Sequence, residues 1–493
     1  MTEKVQAQVA DLYDVVIVGA GISGINTAHH IRTQLPNLNY AIFEARDKIG
    51  GTWDLFRYPG IRSDTDLQTF GFEWKLWVEK RAIADGASIA RYLHEAAEED
   101  CILPHIKFGH RVDSANWSSE DQAWNMVVRT SQNSQTTVRA RFLVLGSGYY
   151  DYKEPLKPQI PGLYENFKGQ IVHPQFWPED LEYTGKKVVI IGSGATAITL
   201  LPNVAKKAGH VTMLQRSPTY ILSTDNTVGN SWTYRVLPKS WALRLSRWSF
   251  MWMTAMIFYL CRAFPGKARS KLEGMVAEQL PKSIPLDPHF RPRYQPWDQR
   301  LCFTPNGDFF ESMREGKAAV ETGHVETVTE HAIILQSGQK LEADIVVTAT
   351  GLKLALGGHI KVSVDGEQID LANRYAWRTA MLQDVPNLAF ILGYVNASWT
   401  LGAEATAHIV CRVLQHMEKK GLSSATPKLR NPSSIRPVPI WNLESTYVKE
   451  AASDLPKCGD SGPWKGRTNY FWDLCRAKYG SITTGLEFTY AQE

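Results

Sequence analysis

Two glycine-rich hexapeptides carry the first chemical signal. Gly19-Ala20-Gly21-Ile22-Ser23-Gly24 follows the apolar run Val15-Val16-Ile17-Val18, and Gly192-Ser193-Gly194-Ala195-Thr196-Ala197 follows Val188-Val189-Ile190-Ile191. In each, the first glycine permits a tight turn and the second lets the backbone approach a pyrophosphate. The small third residue lets the following helix lie close to its strand. The helix start then offers unpaired N–H groups and partial positive charge to phosphates. The residues further along set the two loops apart. Glu44 stands 20 positions after Gly24, where a carboxylate accepts hydrogen bonds from ribose hydroxyls. At the corresponding place after the second loop stand Arg216 and Ser217. A guanidinium there pairs with a 2′-phosphate that a carboxylate would repel. The first loop therefore predicts a dinucleotide with a free 2′-hydroxyl and the second predicts NADPH. One unit would hold a redox cofactor and the other would deliver electrons to it.

The elements that position these groups follow from hydrophobic period. Asp14 to Val18 and Tyr40 to Glu44 are short apolar runs with helical spacing at Ile22, Ile25, Ala28 and Ile31 between them, which makes a βαβ unit with a parallel sheet. Arg81 to Glu99 is helical in pattern. Ile106 to Trp124 and Thr137 to Leu145 are predicted as strands. The unpatterned, proline-rich 151–161 marks a first crossing, and a second βαβ unit begins at Lys187. From 221 to 297 the α/β rhythm stops, which predicts a mostly helical insertion. Ala343 to Gly351 then echoes Phe142 to Gly148 and predicts a return crossing. The expected fold class is α/β, with two Rossmann-like dinucleotide-binding domains. The first is built from 10–150 and 352–493, the second from 151–220 and 298–351, with 221–297 inserted in the second.

Bulk properties narrow the classes further. A chain of 493 residues exceeds one ordinary core. The net charge is only +4, without the lysine- and arginine-rich stripe that nucleic-acid binding needs. Six scattered cysteines without a CxxC pair are those of a cytoplasmic protein with reduced thiols, not of a disulfide frame or zinc site. The N-terminus has no signal-peptide pattern. The longest apolar run, Trp248 to Cys261, is too short for the ~20 residues of a bilayer span. It predicts a buried helix, with peripheral membrane contact through 248–261 as the alternative.

Between the two loops lies Phe167-Lys168-Gly169-Gln170-Ile171-Val172-His173-Pro174-Gln175-Phe176-Trp177-Pro178. Its Phe167, Gly169, His173, Trp177 and Pro178 resemble the fingerprint of the type I Baeyer–Villiger monooxygenases. Gly50-Gly51-Thr52-Trp53, Tyr58-Pro59-Gly60 and Asp64 match a second pattern of that family. Gly51 to Asp64, Trp297 to Leu301 and Asn396 to Thr400 carry a closer likeness to its mycobacterial, ethionamide-activating branch.

The resemblance covers nearly the whole chain. It implies FAD at the first loop and NADPH at the second. It also implies insertion of one oxygen atom from O₂ beside a ketone carbonyl through a C4a-peroxyflavin, giving an ester or lactone, and sulfoxidation of thioethers. Arg300 resembles the active-site arginine and Asp64 the aspartate that steers it; an arginine suits the task because it does not surrender its proton. By the same likeness Thr52, Trp53 and Leu55 border the flavin, and Val112 meets the adenine through its backbone. Arg62, Ser63 and Asp64 lie where nicotinamide and flavin meet, while Ser193, Thr196 and Ser217 touch NADPH. His173 fits a hinge between domains better than a general base. One departure is Gln299, where many members have a lysine that helps hold the 2′-phosphate. The rival reading is a flavin monooxygenase confined to sulfur and nitrogen nucleophiles.

Overall fold

The computed structural model describes residues 11–228, 233–299, 301–394, 396–441 and 446–490. Arg300, the expected catalytic cation, lies outside the described residues.

Strand β1 (Leu12–Val18) enters the first glycine loop and helix α1 (Ile22–Gln34) leaves it; β2 (Tyr40–Phe43) then pairs with β1 in parallel, Val15 opposite Tyr40 and Val18 opposite Phe43. Both strands are apolar on both faces because the sheet is covered on both sides. Helix α2 (Gly86–Glu99) begins at Asp85, whose carboxylate caps the Ser88 N–H, so the helix is five residues shorter at its start than the pattern from Arg81 predicts. The short β3 (Ile106–Lys107) extends the sheet beyond β2.

The region predicted as two strands is a three-stranded antiparallel meander, β4 (His110–Ser118), β5 (Ala123–Thr130) and β6 (Gln135–Leu145). The missed strand has a clear alternation. Trp124, Met126 and Val128 are buried while Asn125, Val127 and Arg129 are not. Its turn hides in the polar run 119–122, closed by Gln122 at φ 50°. The long β6 serves two sheets' worth of pairing, antiparallel to β5 in its first half and parallel to β1 in its second.

The chain crosses after Tyr150 and builds a five-stranded parallel sheet. Its members are β7 (Gln170–Val172), β8 (Lys187–Ile191), helix α3 (Ala195–Val204) after the second glycine loop, and β9 (His210–Gln215).

The inserted stretch is not uniformly helical. It opens with β10 (Ile221–Thr224), then runs through helices α4 (Lys239–Ala263) and α5 (Pro265–Ala277); prolines leave 278–297 without a long element. Strand β11 (Cys302–Pro305) pairs in parallel with β10, so the insertion grows out of a small sheet. Helix α6 (Asp308–Arg314), β12 (Ala318–Thr322) and β13 (Ile345–Thr348) finish the second sheet in the order β12, β9, β8, β13, β7.

The return runs beside the outward crossing. The Asp151 N–H donates to Lys353 O at 2.8 Å and the Ala355 N–H to Tyr149 O at 2.9 Å. Beyond it, β14 (Leu388–Phe390) pairs in parallel with the end of β6, and α7 (Trp399–Lys420) packs on α1. Helix α8 (Tyr470–Tyr479) lies against α7.

The long apolar run corrects its own prediction. Within α4 only Ala242, Leu243, Arg247, Met251 and Cys261 are buried; Trp241, Leu245, Trp248, Trp252, Met256 and Tyr259 face outward. No helix of the described residues is long and apolar enough to cross a membrane. A buried ion pair anchors the helix to α7. Arg247 donates to Glu404 Oε1 at 2.9 Å and Oε2 at 3.2 Å, and to the carbonyls of Gln68 and Gly71. Tyr470 O–H and the Glu73 N–H also donate to Glu404, each at 2.9 Å. Burial pushes the Glu404 carboxyl up, and the guanidinium opposes it. The satisfied network keeps this interior charge compensated.

Candidate functional site

Three cavities, of about 210, 770 and 330 Å³, meet where the first domain, the second domain and the insertion come together.

The first, of about 210 Å³, surrounds the first glycine loop. Gly19, Gly21 and Ser23 line it with Glu44, Gly51, Thr52, Trp53, Arg62 and Asp64. The loop is built too tightly for side chains. A Cβ on Gly24 would stand 1.9 Å from Gly19 O, and Gly19 itself, at φ 99°, would meet Gly146 O at 2.8 Å. Gly24 therefore serves helix-to-strand packing and does not line the cavity. Glu44 is buried, and its carboxylate accepts the Ala20 N–H at 2.7 Å and the Arg46 N–H at 2.9 Å. Burial pushes this carboxyl up, while those backbone donors pull against it. A buried acid beside a glycine backbone cradle is the donor and acceptor set that an adenosine diphosphate with a free ribose requires, so these residues fit the group that the sequence predicts.

Aromatic side chains enclose the rest. Tyr149, Tyr150, Tyr152 and Trp399 line the same cavity, with Trp53, Phe56 and Phe70. Trp399 Nε1–H donates to Ser23 Oγ at 2.8 Å and its ring stacks on Tyr149 at 4.6 Å; Thr52 Oγ1 and Tyr152 Oη are 2.9 Å apart. The tyrosines were missed in the sequence, although Tyr149 and Tyr150 directly follow Gly146-Ser147-Gly148 at a buried strand end.

The second cavity, about 770 Å³, is a cleft over the other loop. Gly192, Ser193, Gly194, Ala195 and Thr196 line it, with Arg216, Ser217, His173 and Gln299. Ser193 O–H donates to Ser217 O at 3.0 Å, which ties the loop to the turn carrying Arg216. A Cβ on Gly194 would meet nothing within 4 Å, and Arg216 and Ser217 are exposed. A cleft lined by a guanidinium suits a phosphorylated nucleotide. Ala197 faces the core instead.

Asp64 lines both of these cavities and the third as well. The third, about 330 Å³, is bounded by Met251, Met253, Phe258, Tyr259, Leu301, Phe303, Leu401 and Phe471 among others. Leu301 also lines the cleft, as does Gln299, so the neighbours of position 300 border the junction. Arg62 is ion-paired with Asp308 at the start of α6, a link from the first domain's loop to the second that the sequence did not reveal. Burial pushes the Tyr58 phenol up to about 12 at the same junction, against a hydrogen bond to Thr196.

The side chains of Leu55 and Ser63 do not line these three cavities: Leu55 packs against the core of the second sheet, and Ser63 is buried with its N–H on Ala84 O at 3.0 Å. Val112, expected to act through its backbone, has its side chain buried in the meander. The segment from Phe167 to Pro178 is also mostly packing. Phe167 and Trp177 are buried on opposite faces of the second sheet, and a Cβ on Gly169 would stand 2.3 Å from Asp344 O. His173 has its imidazole pressed down by burial, with Nδ1 accepting the Gln175 N–H at 3.3 Å.

Comparison with known proteins agrees with this geometry. A flavin-binding monooxygenase-like family model matches residues 82–256, and an NAD(P)-binding Rossmann-like domain model matches 17–77. The FAD-containing monooxygenase EthA of Mycolicibacterium smegmatis is 45% identical over 481 residues, 97% of each chain. The probable FAD-binding monooxygenase AlmA of an Acinetobacter species is 43% identical over 483 residues, 96% of each. Among solved structures, OTEMO in complex with FAD and NADP superposes with a TM-score of 0.74 at 18% identity, over 97% of this chain and all of that one. Cyclohexanone monooxygenase bound to ε-caprolactone gives 0.74 at 21%, with the same coverage. These two share the fold.

Proposed function

The chain belongs to the flavin-binding monooxygenase family, and we propose that within it the protein is a Baeyer–Villiger enzyme that uses FAD and NADPH. It converts a ketone, O₂, NADPH and a proton into an ester or lactone, NADP⁺ and water, and it oxidises thioethers to sulfoxides. The observation that carries this reading is the convergence on Asp64. An aromatic pocket, a larger nucleotide cleft and an apolar chamber share that one carboxylate.

When bound, FAD supplies the electrons that activate O₂ and NADPH supplies the hydride that restores them. The chain's own residues do the rest. The Gly19–Gly24 loop and Glu44 hold the adenosine end of FAD, with Thr52, Trp53, Tyr152 and Trp399 around the ring end. Gly192 to Thr196, Arg216 and Ser217 hold NADPH. The apolar chamber excludes water and takes the substrate. Arg300 is assigned by the family resemblance as the cation that Asp64 would steer; an arginine in that role would hold developing negative charge without giving up a proton.

The test is product mass spectrometry on a panel of ketones and a thioether, with Arg300→Ala beside the parent. Removing one preorganised charge of this kind costs about 10²–10³ in rate, so the variant should still consume NADPH but release hydrogen peroxide in place of ester. Sulfoxide without ester under any condition would leave the protein a heteroatom oxygenase.

A further inference from the structure

One surface of the insertion lies mostly outside this chemistry. Along α4 the side chains of Trp241, Leu245, Trp248, Trp252, Met256 and Tyr259 recur at steps of three and four residues, which puts them in one stripe. All six are at least 46% exposed. Among the described residues, ten of the eighteen large exposed apolar side chains fall between Val236 and Phe264. Residues 233–272 contain eight arginines and lysines and no acid. Arg247 is buried on Glu404, Arg262 pairs with Asp298 and Arg269 with Glu273. Arg235, Lys239, Arg244, Lys267 and Lys271 are exposed beside the stripe. Helix α8 extends the patch with Phe471, stacked on Trp252 at 4.9 Å, and with the exposed Trp472.

From this face we infer a docking surface for an anionic lipid bilayer. Aromatic and aliphatic side chains in a stripe with cations at its margins are the pattern of a helix that lies in the headgroup region. The charge decides between occupants. A symmetric contact with a second copy of this chain would bring the same cations against one another, whereas anionic headgroups neutralise them. The chamber gives the docking a use. Met253 and Tyr259 both line it and are 44% and 50% exposed, so it opens on this face. An apolar molecule dissolved in the bilayer would reach it without crossing water. The docking itself does not depend on the oxidation proposed above.

The full-length flavoprotein, without substrate, is sedimented with vesicles of phosphatidylcholine alone and of phosphatidylcholine with phosphatidylglycerol. It should pellet with the anionic vesicles and be released by salt, since exposed charges are screened. Trp241→Ser/Leu245→Ser/Met256→Ser, none of which lines a cavity, should lower partitioning by about tenfold or more with an unchanged melting midpoint. Arg244→Glu/Lys267→Glu should abolish the preference for anionic lipid. Failure to bind either vesicle overturns the inference, as does binding that survives both variants. So does a concentration-dependent dimer in ultracentrifugation that the apolar triple variant dissolves, because the face would then belong to a second copy.

Discussion

The two glycine loops come from one supersecondary pattern, yet their surroundings make different sites of them. Their first glycines agree. Gly19 and Gly192 both take positive φ, and a Cβ on either would strike a neighbouring backbone carbonyl, Gly146 O at 2.8 Å or Ala349 O at 2.2 Å. Their third positions differ, since Gly24 admits no Cβ and Ala197 carries one in the core. What covers them differs more. Gly50, Gly51 and a wall of aromatic rings close the first loop, while the second opens to a cleft more than three times larger. The residue after the second strand differs as well, a buried Glu44 against an exposed Arg216. The same turn is thus covered in one unit, where Ile22, Ser23 and Gly24 are buried, and open in the other, where Gly194 and Ala195 are exposed.

Gly24→Ala tests the closed end of this comparison and should have the largest effect. The new Cβ would overlap a backbone oxygen that cannot move aside without displacing β1 or α1. Overpacking of this kind costs about 1–3 kcal/mol or more. The expected product is a colourless or barely folded protein, read from its flavin absorbance and melting midpoint. A yellow, stable variant would show that α1 stands further from its strand than the loops' contrast requires.

Arg216→Ala probes the open end. Hydrogen bonds to a charged group contribute about 1.5–3 kcal/mol, so KM for NADPH should rise about tenfold to a hundredfold, with KM for NADH nearly unchanged. Gln299 lines the same cleft without a charge to compensate. Equal changes for both nucleotides would remove Arg216 from 2′-phosphate recognition.

Acid should then separate the two units. Burial, with His408 alongside, presses His30 on α1 down to about 2; burial and Lys478 press His408 on α7 to about 4. Helix α3 carries no histidine, although burial also presses down His173 and His289 around the second sheet, so the separation rests on the His30 and His408 pair. In the unfolded chain both imidazoles titrate near 6.5. Below about pH 6.5 the unfolded chain takes up protons that the folded one refuses, so stability is fully present above that value and falls as pH drops towards 4. The melting midpoint should decline by about a few degrees from pH 7 to 5, with flavin release leading. His30→Gln/His408→Gln should flatten the decline. A decline that persists in the double variant would place its cause elsewhere.

The sequence disclosed the two βαβ units because their strands are apolar on both faces and end in glycines. It disclosed Glu44 and Arg216 because each sits at a fixed distance along a known unit. The meander strand Ala123–Thr130 escaped because a polar turn with one left-handed residue carries no glycine or proline. Tyr149 and Tyr152 escaped for a different reason. They meet Trp399, which the sequence placed in a ligand-facing stretch, across some 250 residues of chain, and periodicity says nothing about such meetings. Leu55 and Ser63 show the converse, since resemblance carried over a position in the chain without the direction in which its side chain points.

The mildest change is Gly194→Ala, set against the matching Gly21. The two share one backbone conformation, φ −81° and ψ −174° at Gly21, φ −81° and ψ −179° at Gly194, and any residue can adopt it. A Cβ at Gly21 would rest on Gly51 Cα at an ordinary 3.7 Å, and one at Gly194 would meet nothing. Neither glycine is required by the protein's own atoms. If the second glycine of such a loop exists for the pyrophosphate, Gly194→Ala should keep or slightly raise stability, by about 0.4–1 kcal/mol through the stiffer unfolded chain. It should meanwhile raise KM for NADPH and NADH together, by less than Arg216→Ala raises it for NADPH. Stability is read from denaturant unfolding and KM from steady-state oxidation of each nucleotide. A loss of stability with unaltered KM would mean that the open loop is held by contacts within the chain, and the contrast between roofed and open sites would fail at its simplest point.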